Sequence, residues 1–218
     1  MKKIVIFDMD GVLIDTESIH DLSWKVTFEH FNLDISEENR RMFLGKGFKD
    51  YFKHLVKITS SDDQVHEMRE YQRNFYYDYF RKNDIKVKPG VFEILSELKS
   101  LKLKLAVASA TRKESAEKSL KSVKLYDYFD YHVFGDMVKE SKPNPDIFLN
   151  VVDHFGFTVK DALVLEDSYY GIKAANNAKI DVFWIKDIID ISDFKDIHYN
   201  EGFVSMSEAH QKIISLVR

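Results

Sequence analysis

The chain begins Met-Lys-Lys-Ile-Val-Ile-Phe-Asp-Met-Asp-Gly-Val-Leu-Ile-Asp, and no other stretch narrows the fold as much. The four apolar residues Ile4 to Phe7 read as a buried strand. That strand delivers Asp8 and Asp10 to a loop in which Gly11 lets the backbone turn sharply. In open α/β sheets, ligands bind outside the carboxyl ends of the strands. Two carboxylates placed there repel one another unless a cation or a shared proton offsets the charge, so the loop is read as part of an active site.

Past Asp15 the periodicity changes. Ile19, Leu22 and Val26 fall on one helical face and Trp24, Phe28 and Phe31 on another, which predicts a helix over about residues 17 to 31 packed on two sides. Phe48, Tyr51, Phe52, Leu55 and Val56 recur at helical spacing, as do Val65, Met68, Phe75 and Tyr79. Residues 16–85 therefore form an all-helical unit inserted into a second unit made of 1–15 and 86–218. Lys88-Pro89-Gly90 marks the return to that second unit, because proline cannot continue a helix and glycine relaxes the backbone. From there helices alternate with short apolar strands at Lys104 to Ala108, Tyr131 to Phe134, Ala162 to Leu165 and Asp181 to Ile185. That rhythm predicts right-handed crossovers and a parallel sheet.

Composition removes several function classes. With 218 residues, 44% of them apolar, the chain can bury a substantial core. A net charge of −4 gives no broad basic field, so neither nucleic acid nor an anionic membrane is expected as a partner. There is no cysteine, which excludes disulfides, thiolate metal sites and Cys nucleophiles. The histidines show no close metal-binding pairs. The apolar start is too short for a signal peptide or a membrane span, and a cytoplasmic monomer is the expectation.

Three further loops follow the predicted strands. Ser109 ends Leu-Lys-Leu-Ala-Val-Ala-Ser, Lys142 lies in Glu140-Ser-Lys-Pro-Asn-Pro-Asp146, and Glu166-Asp167-Ser168 ends Ala-Leu-Val-Leu. In a parallel sheet these loops share one edge with Asp8 and Asp10. Each residue type suits phosphoryl transfer. Asp8 is the candidate nucleophile, forming an aspartyl-phosphate, and Asp10 the candidate acid and base. The Ser109 hydroxyl and the backbone N–H groups after it are expected to hold phosphoryl oxygens. Lys142 supplies a fixed positive charge, mounted on a turn stiffened by two of the chain's three prolines. Asn144 is expected to cap the following helix, with Pro145 in its first position. Asp8, Asp10, Glu166 and Asp167 offer the oxygen-only environment that Mg²⁺ prefers. Singly, each signal has an ordinary reading as a turn, a cap or a surface charge. Their order along the chain, on loops of one sheet edge, gives them force.

The ordered set Asp8-Met-Asp10-Gly-Val, Ser109, Lys142-Pro143 and Glu166-Asp167 resembles the four motifs of the haloacid dehalogenase-like superfamily. Val-Ala-Ser-Ala-Thr-Arg (107–112), Ser-Lys-Pro-Asn-Pro-Asp-Ile-Phe (141–148) and Leu-Glu-Asp-Ser-Tyr-Tyr-Gly-Ile (165–172) are most similar to its β-phosphoglucomutase and sugar-phosphatase branch. The resemblance implies a Rossmann-like α/β core with strand order 5-4-1-2-3, an inserted small α-helical cap, Mg²⁺ as cofactor, and Asp10 contributing its backbone carbonyl to the metal. It also implies substrate contacts from His20, Lys46, Lys49 and Arg73 in the cap, and from Ala110, Thr111 and Arg112 after the second motif. An acid at position 10 argues against dehalogenation. Phosphonate hydrolysis would need a cap lysine that nothing here singles out.

A mutase holds a second phosphate with a cap arginine, and the expected arginine position holds Phe48. Lysine at 46 or 49 does not reproduce a bidentate guanidinium. The expectation is therefore a Mg²⁺-dependent phosphatase of small phosphorylated metabolites, sugar phosphates foremost. A hexose-phosphate mutase is the alternative, and a non-catalytic metabolite-binding protein a more distant one.

Overall fold

The computed structural model describes residues 1–41, 43 and 48–218, with the backbone alone at 41 and 48–50. Its elements in chain order are β1 (Ile4–Phe7), α1 (Glu17–His30), α2 (Glu37–Arg41), α3 (Phe48–Thr59), α4 (Asp62–Lys82), α5 (Val91–Ser100), β2 (Lys104–Ser109), α6 (Lys113–Ser122), β3 (Tyr131–Phe134), α7 (Asp146–His154), β4 (Ala162–Glu166), α8 (Tyr169–Ala178), β5 (Asp181–Ile185), β6 (Glu201–Phe203) and α9 (Met206–Val217). They divide into two compact units, Met1–Asp15 with Ile85–Arg218, and Thr16–Asp84.

The first unit is built on a six-stranded sheet in the order β3-β2-β1-β4-β5-β6, with every pairing parallel. The predicted order 5-4-1-2-3 lies within it, and β6 extends the sheet beyond β5. Three residues with a central glycine carry too little periodicity for β6 to be read from sequence. All four residues of β1 are fully buried because both faces of the sheet are covered. Val5 and Phe7 pack with Val91, Leu95 and Leu98 of α5 and Ile213 of α9. Ile4 and Ile6 face the other way, among Phe148 and Val151 of α7 and Ile172 and Ala175 of α8. At about 1.5–3 kcal/mol per buried aliphatic or aromatic side chain, this sandwich holds the central strand firmly in place.

Local chemistry sets the helix starts that matter for the site. Gly90 adopts φ 85°, a left-handed conformation suited to glycine, at the entry to α5. The Ser168 hydroxyl caps α8 by accepting a hydrogen bond from the Gly171 amide at 3.1 Å. Helix α7 departs from expectation. Pro145 occupies its N-cap position, and Asn144 turns its side chain back to donate to the Ser141 carbonyl at 3.3 Å.

The second unit is helical throughout its described elements and has its own core of Trp24, Phe28, Phe43, Tyr51, Leu55, Val65 and Met68. Trp24 anchors it, with the Phe28, Phe43 and Tyr51 rings centred 5.2–5.4 Å away. On α1 it is the Trp24 and Phe28 face that is buried, while Ile19, Leu22 and Val26 are only partly covered. A buried polar link joins α1 to α4, the Gln72 amide donating to the Ser23 hydroxyl at 2.6 Å.

Candidate active site

Strand register assembles the centre of the site. Phe7 lies opposite Val107 on one side and Leu165 on the other. One residue further on, Asp8, Ala108 and Glu166 therefore line up across three adjacent strands. The Lys142 ammonium closes over all three. It donates to Asp8 Oδ1, to the Ala108 carbonyl at 3.1 Å and to Glu166 Oε1 at 2.7 Å. An ammonium has three protons, and each one has an acceptor. The Phe148 ring, 5.1 Å from Nζ, lies on the apolar side. The order of the strands reverses between β1 and β4, where doubly wound sheets open a crevice.

These charges are out of water. The side chains of Lys142, Asp8 and Glu166 are 6%, 8% and 1% exposed. Burial pushes the Asp8 carboxyl up to about 8. Lys142 pulls it back down, while Glu166 and Asp10 add to the rise. Burial alone would lower the Lys142 ammonium, but the two carboxylates it touches more than offset that, and its net shift is upward. The lysine therefore stays charged.

Asp10 is turned toward β2. Its Oδ2 accepts from the Thr111 hydroxyl at 2.8 Å and the Ser109 hydroxyl at 3.2 Å. The Thr111 amide, expected to face a phosphoryl group, donates instead to Ser109 Oγ at 3.0 Å. Thr111, assigned from sequence to substrate contact, is thus a neighbour of the acid–base candidate. Ala110 and Arg112 are exposed on either side of it.

Glu166 also has more to do than metal binding would require. Its Oε2 accepts from the Ser168 amide at 2.8 Å and the Ser168 hydroxyl at 3.0 Å, so both of its oxygens are engaged by protein donors. Gly171 makes this possible, since a Cβ there would overlap the Glu166 carboxylate. Asp167 is held from behind, its carbonyl accepting from Trp184 Nε1 at 3.2 Å. Its carboxylate lies against Gly11, where a Cβ would collide with it; at φ 82°, Gly11 is needed for its conformation as well as its size.

Among the described residues, no group of three or more Asp, Glu or His side chains is gathered to hold a metal ion as it stands. The donor chemistry nonetheless fits a hard divalent cation. Asp8 and Glu166 share a single ammonium, and Asp10 and Asp167 add carboxylates on the neighbouring loops, so the donors at this edge are oxygens only. Mg²⁺ is commonly held by one or two carboxylates while keeping several waters. Asp8 and Asp167 are the residues that would hold it.

In the helical unit, His20 is partly exposed as a residue, but desolvation of its ring shifts it down to about 4, with the Arg69 charge adding to the fall and Asp21 opposing it. Its Nδ1 is buried without a hydrogen-bond partner, as is Trp24 Nε1. Trp24 was read from sequence only as a packed aromatic of the helix. Arg73 is exposed on α4. Lys46 lies outside the described residues, and so do the side chains of Lys49 and Phe48.

The profile of the haloacid dehalogenase-like hydrolase family matches residues 5–185. A phosphorylated carbohydrates phosphatase of Thermotoga maritima is 33% identical over 181 residues, covering 81% of this chain and 82% of that protein. The β-phosphoglucomutase of Bacillus subtilis is 27% identical over 183 residues, covering 81% and 80%. A crystal structure from T. maritima, provisionally described as a β-phosphoglucomutase, superposes with a TM-score of 0.79 at 29% identity, over 99% of this chain and 100% of that one. The chain belongs to the haloacid dehalogenase-like hydrolases.

Proposed function

We propose that the protein is a Mg²⁺-dependent phosphatase of phosphorylated carbohydrates that works through an aspartyl-phosphate on Asp8. The observation that carries the reading is the Lys142 ammonium clamped between Asp8 and Glu166 at the ends of the central strands. An ammonium there holds the nucleophile in place and offers positive charge to an incoming phosphoryl group. The T. maritima phosphatase supports the substrate class.

The Asp8 carboxylate attacks phosphorus in line, forming an Asp8–phosphorus bond as the bond to the ester oxygen breaks. Asp10, oriented by Ser109 and Thr111, gives a proton to the departing oxygen. It later takes one from the water that hydrolyses the acyl phosphate. Ser109 also lies where its hydroxyl can rotate toward a phosphoryl oxygen. Asp8 and Asp167 would hold a divalent ion, which when bound would supply the remaining neutralisation between nucleophile and ester. Glu166 acts through Lys142, and Ser168 through Glu166. In the helical unit, His20, Lys46, Lys49 and Arg73 are the proposed substrate-reading residues.

A panel of sugar phosphates assayed with and without Mg²⁺ tests the reading, with Asp8→Asn as the control. The variant is expected to keep its fold by circular dichroism and lose turnover. Residual activity above a few per cent of wild type would rule out Asp8 as nucleophile. The B. subtilis relative supports a mutase as the second reading. Supplying a hexose 1-phosphate with a bisphosphate primer separates the two, since isomer forming faster than free phosphate identifies a mutase.

A further inference from the structure

Asp187, two residues past the end of β5, has no part in the chemistry described so far. Its side chain is 8% exposed, and its Oδ1 pairs with the Lys88 ammonium. Oδ2 is buried with no hydrogen-bond partner. A salt bridge built for stability alone gains nothing from leaving one carboxylate oxygen desolvated and unpaired, since an unmade bond to a buried charged group is costly.

The direction in which Oδ2 points supplies the explanation. A Cβ built on Gly11 would fall 3.0 Å from Asp187 Oδ2 and nearer still to Asp167 Oδ2. Two carboxylates thus approach the same point of the nucleophile loop, one of them the proposed cation ligand and the other with an acceptor to spare. Like charges facing each other in this way favour a cation between or beside them. The two sequence neighbours of Asp187 are a lysine and an isoleucine, and neither offers an alternative partner for Oδ2.

We propose that Asp187 is an outer-sphere carboxylate of the cation site, its Oδ2 accepting from a water carried by an ion held at Asp8 and Asp167, with Lys88 fixing its orientation. The proposal rests on the cation-dependent reading of the site. Mg²⁺ gives up its waters reluctantly, so part of a protein's grip on it is exerted through those waters. Groups that orient a metal's ligands from outside the coordination sphere commonly change its affinity by 10–100-fold. Asp187 is a positioning residue in this scheme, and it touches neither the phosphoryl group nor the nucleophile.

The test measures ion binding directly, by calorimetry with Mg²⁺ and by electron paramagnetic resonance with Mn²⁺, on the wild type, Asp167→Asn, Asp187→Asn and Lys88→Met. Thermal unfolding is followed with and without the ion. Asp167→Asn is expected to lose binding. Asp187→Asn is expected to bind about tenfold more weakly or worse, with its metal-free midpoint close to wild type. Lys88→Met leaves the Asp187 charge without its ammonium; its metal-free midpoint falls, and the rise produced by Mg²⁺ becomes larger than in the wild type.

A structural salt bridge would behave differently, with both variants less stable and ion affinity unmoved. Binding by Asp187→Asn within twofold of wild type, while Asp167→Asn loses it, overturns the role of Asp187 and leaves the cation-dependent reading intact. If the wild type binds neither ion, that reading fails, and the role of Asp187 with it. Should Asp187→Asn not fold, a Lys88→Met protein whose Mg²⁺-induced rise is no larger than wild type overturns the proposal by itself.

Discussion

Lys142 is a buried ammonium whose three protons all have acceptors, so the cost of removing it is set by what it leaves behind. Lys142→Met strands two desolvated carboxylates side by side. Breaking such a group from one side costs about 3–5 kcal/mol, and that loss is expected in urea unfolding of the metal-free protein, together with loss of turnover. His20 gives a second prediction at this scale. Its shift from 6.5 to about 4 means that the unfolded chain binds the proton more readily. The stability His20 contributes is therefore present above pH 6.5 and is lost as pH falls toward 4, amounting to about 2 kcal/mol between pH 7 and pH 5. Unfolding at the two pH values, wild type against His20→Gln, measures it, and an equal loss in both proteins removes His20 as the source.

A lysine just ahead of a Pro-Asn-Pro turn was readable in the chain, as were the two aspartates after the first strand. The bond from Thr111 to Asp10 and the burial of Asp187 were not legible there, because a hydroxyl in a turn and an acid in a charged stretch look the same whether they face water or a buried partner.

Among the elements, α8 has an influence on the site out of proportion to its length. Its N-cap, Ser168, binds the Gly171 amide and also the Glu166 carboxylate that positions Lys142. Ser168→Ala removes both contacts at once. A lost N-cap costs about 0.5–2 kcal/mol, and the accompanying slackening of Glu166 is expected to lower kcat more than it raises KM. A variant with unchanged kcat would separate the cap from the catalytic arrangement. The strand boundaries at Tyr131–Phe134 and Asp181–Ile185 coincide with those read from periodicity. Each is a strongly patterned segment with clear punctuation. The start of α7 was misread, because proline fits the N-cap as well as the first turn, and the Asn144 side chain found a carbonyl acceptor within its own turn.

At the scale of the whole molecule, two units carry separate cores, and the two tryptophans report on them individually. Trp24 lies in the helical unit and Trp184 in the sheet unit. Leu55→Ala removes a fully buried side chain from the helical core. In a Trp184→Phe background, the unfolding followed by Trp24 fluorescence is expected to lose about 2–5 kcal/mol, and a loss below 1 kcal/mol would show that the Trp24 core is looser than its packing indicates. The alternation of strand and helix, the inserted helical stretch and the four polar loops are all local patterns along the chain, so the sequence by itself determined the class of fold and the kinds of residue at its edge. What it could not determine is which of those residues meet. One step of strand register puts Asp8, Ala108 and Glu166 under a single ammonium, and the absence of a side chain at Gly11 and Gly171 lets Asp167 and Glu166 approach as closely as they do. The contacts of Lys142 with Asp8 and of Gly11 with Asp167 join residues more than a hundred positions apart, and only the packed sheet fixes such distances.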